Sequence, residues 1–120
     1  MGTWARPVVA WEIRARDAAA MRAFYETMFE WEIDSARIPG ISFVAPGVGA
    51  PEMGLGGVIM PSAEQPGVTL LIQVADLRGS MAQAEQLGGK ILAQPFDVPG
   101  GPTIARIADP EGNQIGLVQM

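Results

Sequence analysis

Between Val8 and Asp17 the chain alternates. Val9, Trp11, Ile13 and Ala15 fall on one face, and Ala10, Glu12, Arg14 and Arg16 on the other. A period of two predicts a half-buried strand. Asp17 follows as a helix N-cap, its carboxylate placed to accept from the first free backbone N–H groups. Met21, Phe24, Tyr25, Met28 and Phe29 then recur at helical spacing, and Trp31 opens the next strand. The plan repeats further on. Val68, Leu70, Ile72 and Val74 alternate with Thr69, Leu71 and Gln73, and Asp76 is the second cap. Met81, Ala84, Glu85, Leu87 and Gly88 lie on a second helix, which Gly88-Gly89 stops in a left-handed turn. An interval of 59 residues separates Asp17 from Asp76 and also Ile33 from Leu92, so the two halves share one register.

Short strands broken by Gly and Pro follow each helix. In the first half they are 31–34, 41–44 and 55–60; in the second, 90–93, 103–108 and 113–119. Each half is therefore β-α-β-β-β. The modules span about residues 6–60 and 67–120 of one domain, with the polar stretch 61–66 as linker. Residues 46–54 form a second irregular segment. Asp109-Pro110-Glu111-Gly112 is a hairpin turn in which Pro110 presets φ and Gly112 takes a positive φ.

Composition removes many function classes. At 120 residues with 48% apolar content, the chain can bury a core of its own and is not of a disordered type. No apolar run approaches a membrane span or is flanked like a signal peptide, so the expected location is the cytoplasm. The net charge of −5, with its eight cations scattered, argues against nucleic acid. The absence of cysteine removes disulfides, thiolate metal sites and a thiol nucleophile. The absence of histidine removes the commonest general base and metal ligand, and leaves the serines without a triad partner. Gly54-Leu55-Gly56-Gly57 lacks the Lys and Ser or Thr of a phosphate loop.

Four segments occur in order: Phe24-Tyr25 with Phe29-Glu30-Trp31, Leu87-Gly88-Gly89-Lys90, and Asp109-Pro110-Glu111-Gly112-Asn113 running into Gln114-Ile115-Gly116-Leu117. Together with the repeat they resemble the vicinal oxygen chelate superfamily of glyoxalases, bleomycin-resistance proteins and extradiol dioxygenases. The resemblance implies an α+β fold in which two βαβββ modules form a cupped mixed sheet, and it implies a homodimer. Enzymes of that superfamily hold a divalent metal with histidines and glutamates. The positions that match their ligands are, by the resemblance, Ala10, Thr69 and Gly116 in this chain. Alanine and glycine offer no donor, and a threonine hydroxyl is a weak neutral one. The expectation is a site without metal or other cofactor.

Alternation places Glu12 and Arg14 on the face of Ala10, Leu71 and Gln73 on the face of Thr69, and Gln114 and Val118 on the face of Gly116. Phe43, Met53 and Met60 are further candidates to line the cup. The opposite face, with Trp11, Ile13, Leu70, Ile72, Ile115 and Leu117, is expected beneath the helices. Trp4 has no period to place it and is a candidate to cover a dimer seam. Small residues, apolar walls and a few polar groups suit an organic ligand held by shape and one or two hydrogen bonds. The leading reading is therefore a metal-independent small-molecule-binding protein. The alternative is a metal-free enzyme of lyase, isomerase or hydrolase type with Glu12 as general acid or base, since burial among apolar groups favours the protonated form of a carboxyl. A third is a dimer with a vestigial cup. Glu12 has a plainer reading as a carboxylate paired with Arg14, Arg106 or a partner subunit. Arg106 would clamp an anion if it faced inward, and alternation leaves its side open.

Overall fold

A computed structural model of the chain describes residues 5–45, 54–63 and 65–119. Trp4 and Met53 lie outside these residues. The order of elements is β1 (Val8–Ala15), α1 (Ala18–Phe29), β2 (Ile33–Ile38), β3 (Ile41–Val44), β4 (Gly57–Pro61), β5 (Gly67–Gln73), α2 (Leu77–Gln86), β6 (Lys90–Asp97), β7 (Thr103–Ala108) and β8 (Gln114–Gln119). The βαβββ order is thus present twice, and the architecture is α+β with mixed strand pairing. Two compact units divide the chain: residues 10–69, and residues 70–120 together with 1–9.

In the first unit β2, β3 and β4 form an antiparallel meander, and β1 joins β4 in parallel. Asp17 caps α1 as its sequence position predicts, its Oδ1 accepting from the Ala20 N–H at 3.0 Å. The helix stops at Glu30, which takes a left-handed φ of 56° while its N–H donates to the Glu26 carbonyl. Trp31 is therefore not in a strand, and β2 begins two residues later and runs on to Ile38. Trp31 packs instead between Tyr25 of α1 (5.1 Å between ring centres, nearly parallel) and Trp11 of β1 (5.2 Å). A Cβ at Gly57 would overlap the Trp11 ring, so glycine there lets the indole lie across β4. The indole N–H donates to the Leu55 carbonyl at 3.1 Å. Beneath the helix, Arg22 donates to the Ser35 hydroxyl at 2.9 Å, and Ser35 lies 3.2 Å from the buried Ser42 hydroxyl.

In the second unit β5, from Leu70 onward, is parallel to β8, while β8, β7 and β6 are antiparallel neighbours. Asp76 caps α2 through the Gly79 N–H at 3.1 Å. Gln119 of β8 adds a second cap, its Oε1 accepting from the Leu77 N–H. Leu77 and Met81, one helical turn apart, enter a core of Val74, Ala105 and Leu117, with Ile91, Ile107 and Ile115 packed around it. Gly88 ends the helix at a φ of 95°, and Gly112 closes the last hairpin at 92°. Leu70 departs from expectation. It shares the helix-side face of β5 but is 44% exposed. Among the described residues no helix is long and apolar enough to cross a membrane.

Candidate functional site

The register shows which side chains share the face away from each helix. In the first unit Glu12 pairs with Val58, Val58 with Phe43, and Arg14 with Met60. Phe43, Val58 and Met60 thus make an apolar floor beside the β1 row of Ala10, Glu12 and Arg14. Glu12 is 4% exposed and has an interaction partner. Thr69 is fully buried, and its hydroxyl accepts a hydrogen bond from the Arg14 guanidinium. Gly67 leaves room for that guanidinium, since a Cβ there would press on Arg14 Nη2. The five predicted residues of this unit (Ala10, Glu12, Arg14, Met60 and Thr69) accordingly lie on adjoining strands around one buried carboxyl and one guanidinium.

In the second unit Leu71 pairs with Gly116, Gln73 with Val118, and Gln114 with Ala108. Leu71 and Val118 are buried, and Gln73 and Gln114 are half-buried. A Cβ at Gly116 would overlap Leu71 Cδ2, so the leucine side chain fills the space that a residue larger than glycine would need. Arg106, whose side alternation left open, pairs with Gly116 and so shares this face. Its guanidinium carbon lies 5.8 Å from the centre of the Phe96 ring. The turn before β8 is closed by Asp109, which accepts from the Glu111 and Asn113 N–H groups and from the Asn113 side chain at 2.8–3.0 Å. These hydrogen bonds, that from the Asn113 side chain first, hold the Asp109 carboxyl below its ordinary value. Turn capping is therefore the work of Asp109 and Asn113, and Gln114 has an interaction of its own.

Sequence reasoning missed two residues of these faces. Arg37 lies 4.2 Å over the Phe43 ring, repeating with exchanged partners the Arg106–Phe96 pair. The signal was present: Arg37 and Phe96 stand 59 residues apart, the interval of the internal repeat. A guanidinium stacked on a ring keeps its N–H edge available for an anion or a carbonyl.

A glyoxalase-like domain model matches residues 10–118, and the chain belongs to that family. Solved structures agree on the fold. A glyoxalase/bleomycin resistance protein/dioxygenase superfamily member from Vibrio splendidus is 13% identical, with a TM-score of 0.66 over 92% of this chain and 97% of that one. Methylmalonyl-CoA epimerase from Mycobacterium tuberculosis is 17% identical, with a TM-score of 0.69 over 99% and 91%. The Mn(II)-bound glyoxalase from Novosphingobium aromaticivorans is 18% identical, with a TM-score of 0.67 over 95% of this chain and 39% of that one. Comparison with curated protein sequences finds no match.

A metal such as the Mn(II) of that glyoxalase does not fit the residues at the positions that the resemblance matches to metal ligands. Ala10 has no donor atom. The Thr69 hydroxyl is engaged by a guanidinium, whose positive charge opposes a cation beside it. The space a side chain at 116 would need is filled by Leu71. Among the described residues no group of three or more Asp, Glu, His or Cys is placed to hold a metal ion.

Proposed function

We propose that this chain is a metal-independent, cytoplasmic small-molecule-binding protein of the glyoxalase/bleomycin-resistance type. It takes an organic ligand on the sheet faces turned away from its helices. The observation that carries the reading is the Arg14–Thr69 hydrogen bond: where the resemblance puts a metal ligand, the protein has a hydroxyl committed to its own cation. Apolar side chains (Phe43, Val58, Met60, Leu71, Val118) with a few polar groups (Arg14, Gln73, Gln114) supply shape and orientation rather than a reacting centre. A methylmalonyl-CoA epimerase of similar fold is solved in complex with methylmalonyl-CoA, which supports a small organic molecule as the class of ligand and not a particular one.

Burial of Glu12 favours a second reading, a metal-free lyase, isomerase or hydrolase with that carboxyl as general acid or base. One experiment separates the two. A small-molecule library is screened by thermal shift, and the hits are repeated with Glu12→Gln. A ligand at 100 times its Kd adds about 2.7 kcal/mol to stability. Under the binding reading the variant keeps that gain and no hit is turned over. Under the enzymatic reading a hit is converted, and the variant slows its turnover about 10²-fold or more. A screen in which no compound stabilises the fold would contradict both and leave a vestigial cup.

A further inference from the structure

Arg14 is a half-buried cation with a neutral partner. Among the described residues its guanidinium bonds to the Thr69 hydroxyl alone, and no carboxylate forms an ion pair with it. Its Nε–H is buried and meets no acceptor. An arginine drawn out of water is otherwise paired, because an uncompensated charge there is costly. The position is nevertheless built. Thr69, fully buried, holds Nη1, and Gly67 leaves the room that Nη2 needs. With Nη1 engaged, the unused edge of the guanidinium is Nε with Nη2. The N–H groups of that edge run parallel and match the two oxygens of a carboxylate.

The rest of this face is mostly apolar. Met60 is the register partner of Arg14 on β4, and Val58 and Phe43 carry the floor across to β3. From β1 to β3 is two strand spacings, about 10 Å, which suits one ring or a short aliphatic chain. Arg37 stands over the Phe43 ring at the far side, so both ends of the floor carry positive charge. The acidic groups nearby are engaged elsewhere: Asp34 accepts from the Ala36 N–H at 2.9 Å, and the buried Glu12 has an interaction of its own.

We propose that Arg14 takes the place of a metal ion as the fixed positive charge of this face, and that the ligand is a small organic carboxylate. The carboxylate seats on the Nε–Nη2 edge, and the apolar body lies on Met60, Val58 and Phe43. A neutral ligand would leave the guanidinium without a counter-ion. Thr69 is a positioning residue, which fixes the guanidinium without touching the ligand. The proposal rests on the binding reading above and adds the charge of the ligand to it.

Calorimetric titration of the full chain with a panel of aliphatic and single-ring carboxylic acids, each beside its primary amide, tests it. The acids that bind are expected to do so at least about 10-fold more tightly than their amides. Arg14→Gln should weaken them roughly 10- to 100-fold, to the level of the amides. Arg14→Lys, which keeps the charge and loses the paired edge, should recover part of the difference. Thr69→Val should narrow the gap between acid and amide while the affinity for amides stays. Arg78→Gln, which removes an exposed cation from α2, should change nothing. Acids and amides that bind equally, or an Arg14→Gln variant that holds acids as firmly as the wild type, would overturn the proposal and leave a small-molecule binder standing. A panel in which neither acids nor amides bind would overturn the binding reading with it. Should Arg14→Gln lose its circular dichroism, the comparison of acid with amide on the wild type decides.

Discussion

The two helices of this chain occupy equivalent places in the repeat and are held in opposite ways. α2 is the more polar in sequence, yet it inserts Leu77 and Met81 into a closed core with Val74, Ala105 and Leu117. α1 is the more apolar and inserts nothing fully. It rests on the Tyr25–Trp31–Trp11 stack and on the chain of hydrogen bonds from Arg22 through Ser35 to Ser42. The number of apolar residues in a helix therefore says little about how it is anchored. Two side chains one turn apart, aimed at the sheet, anchor a helix better than five spread around it.

The contrast predicts a graded set of mutational effects. The largest is Met81→Ala, which empties a buried site and should cost about 2–5 kcal/mol in chemical denaturation. Met28→Ala, its counterpart in composition on α1, should change the stability of the dilute monomer by less than about 0.5 kcal/mol. Equal effects would break the comparison. Trp31→Ala comes next. It removes a ring stacked on two others and should cost about 1–3 kcal/mol, with loss of the near-ultraviolet signal of the stack before α2 responds in hydrogen exchange. The smallest effect belongs to the Asp109 turn in the second unit. Its carboxyl is held below its ordinary value, so the turn's contribution is present above that value and is lost as pH falls through the lowered one. A pH series of denaturation midpoints should show this acid-dependent loss in the wild type, and less of it in Asp109→Asn.

Much of the fold is legible in the sequence because its signals are local. Alternation in β1 and β5, the caps Asp17 and Asp76, the Gly88 stop and the Gly112 turn each act within a few residues of themselves. What is not legible depends on partners far along the chain. The strand after α1 was expected at Trp31, whose side chain is drawn into an aromatic stack; a left-handed Glu30 delays β2 instead. Nothing local marks the Arg14 contact with Thr69, 55 residues away, or the filling of the space at Gly116 by Leu71. Arg106 acquires a side only through its pairing with Gly116. Leu70 is exposed although it shares the helix-side parity, because a period of two marks a face and carries no information on what covers it.

Native mass spectrometry of the purified protein, alone and with Ni2+, Zn2+ and Mn2+ at equal and tenfold concentrations, tests the central claim most directly. The account predicts a protein free of metal that takes up none specifically, since the positions that the resemblance matches to metal ligands hold Ala10, a Thr69 hydroxyl already engaged by Arg14, and Gly116 covered by Leu71. One tightly bound metal per chain would contradict it and turn the search to oxygen ligands around Glu12.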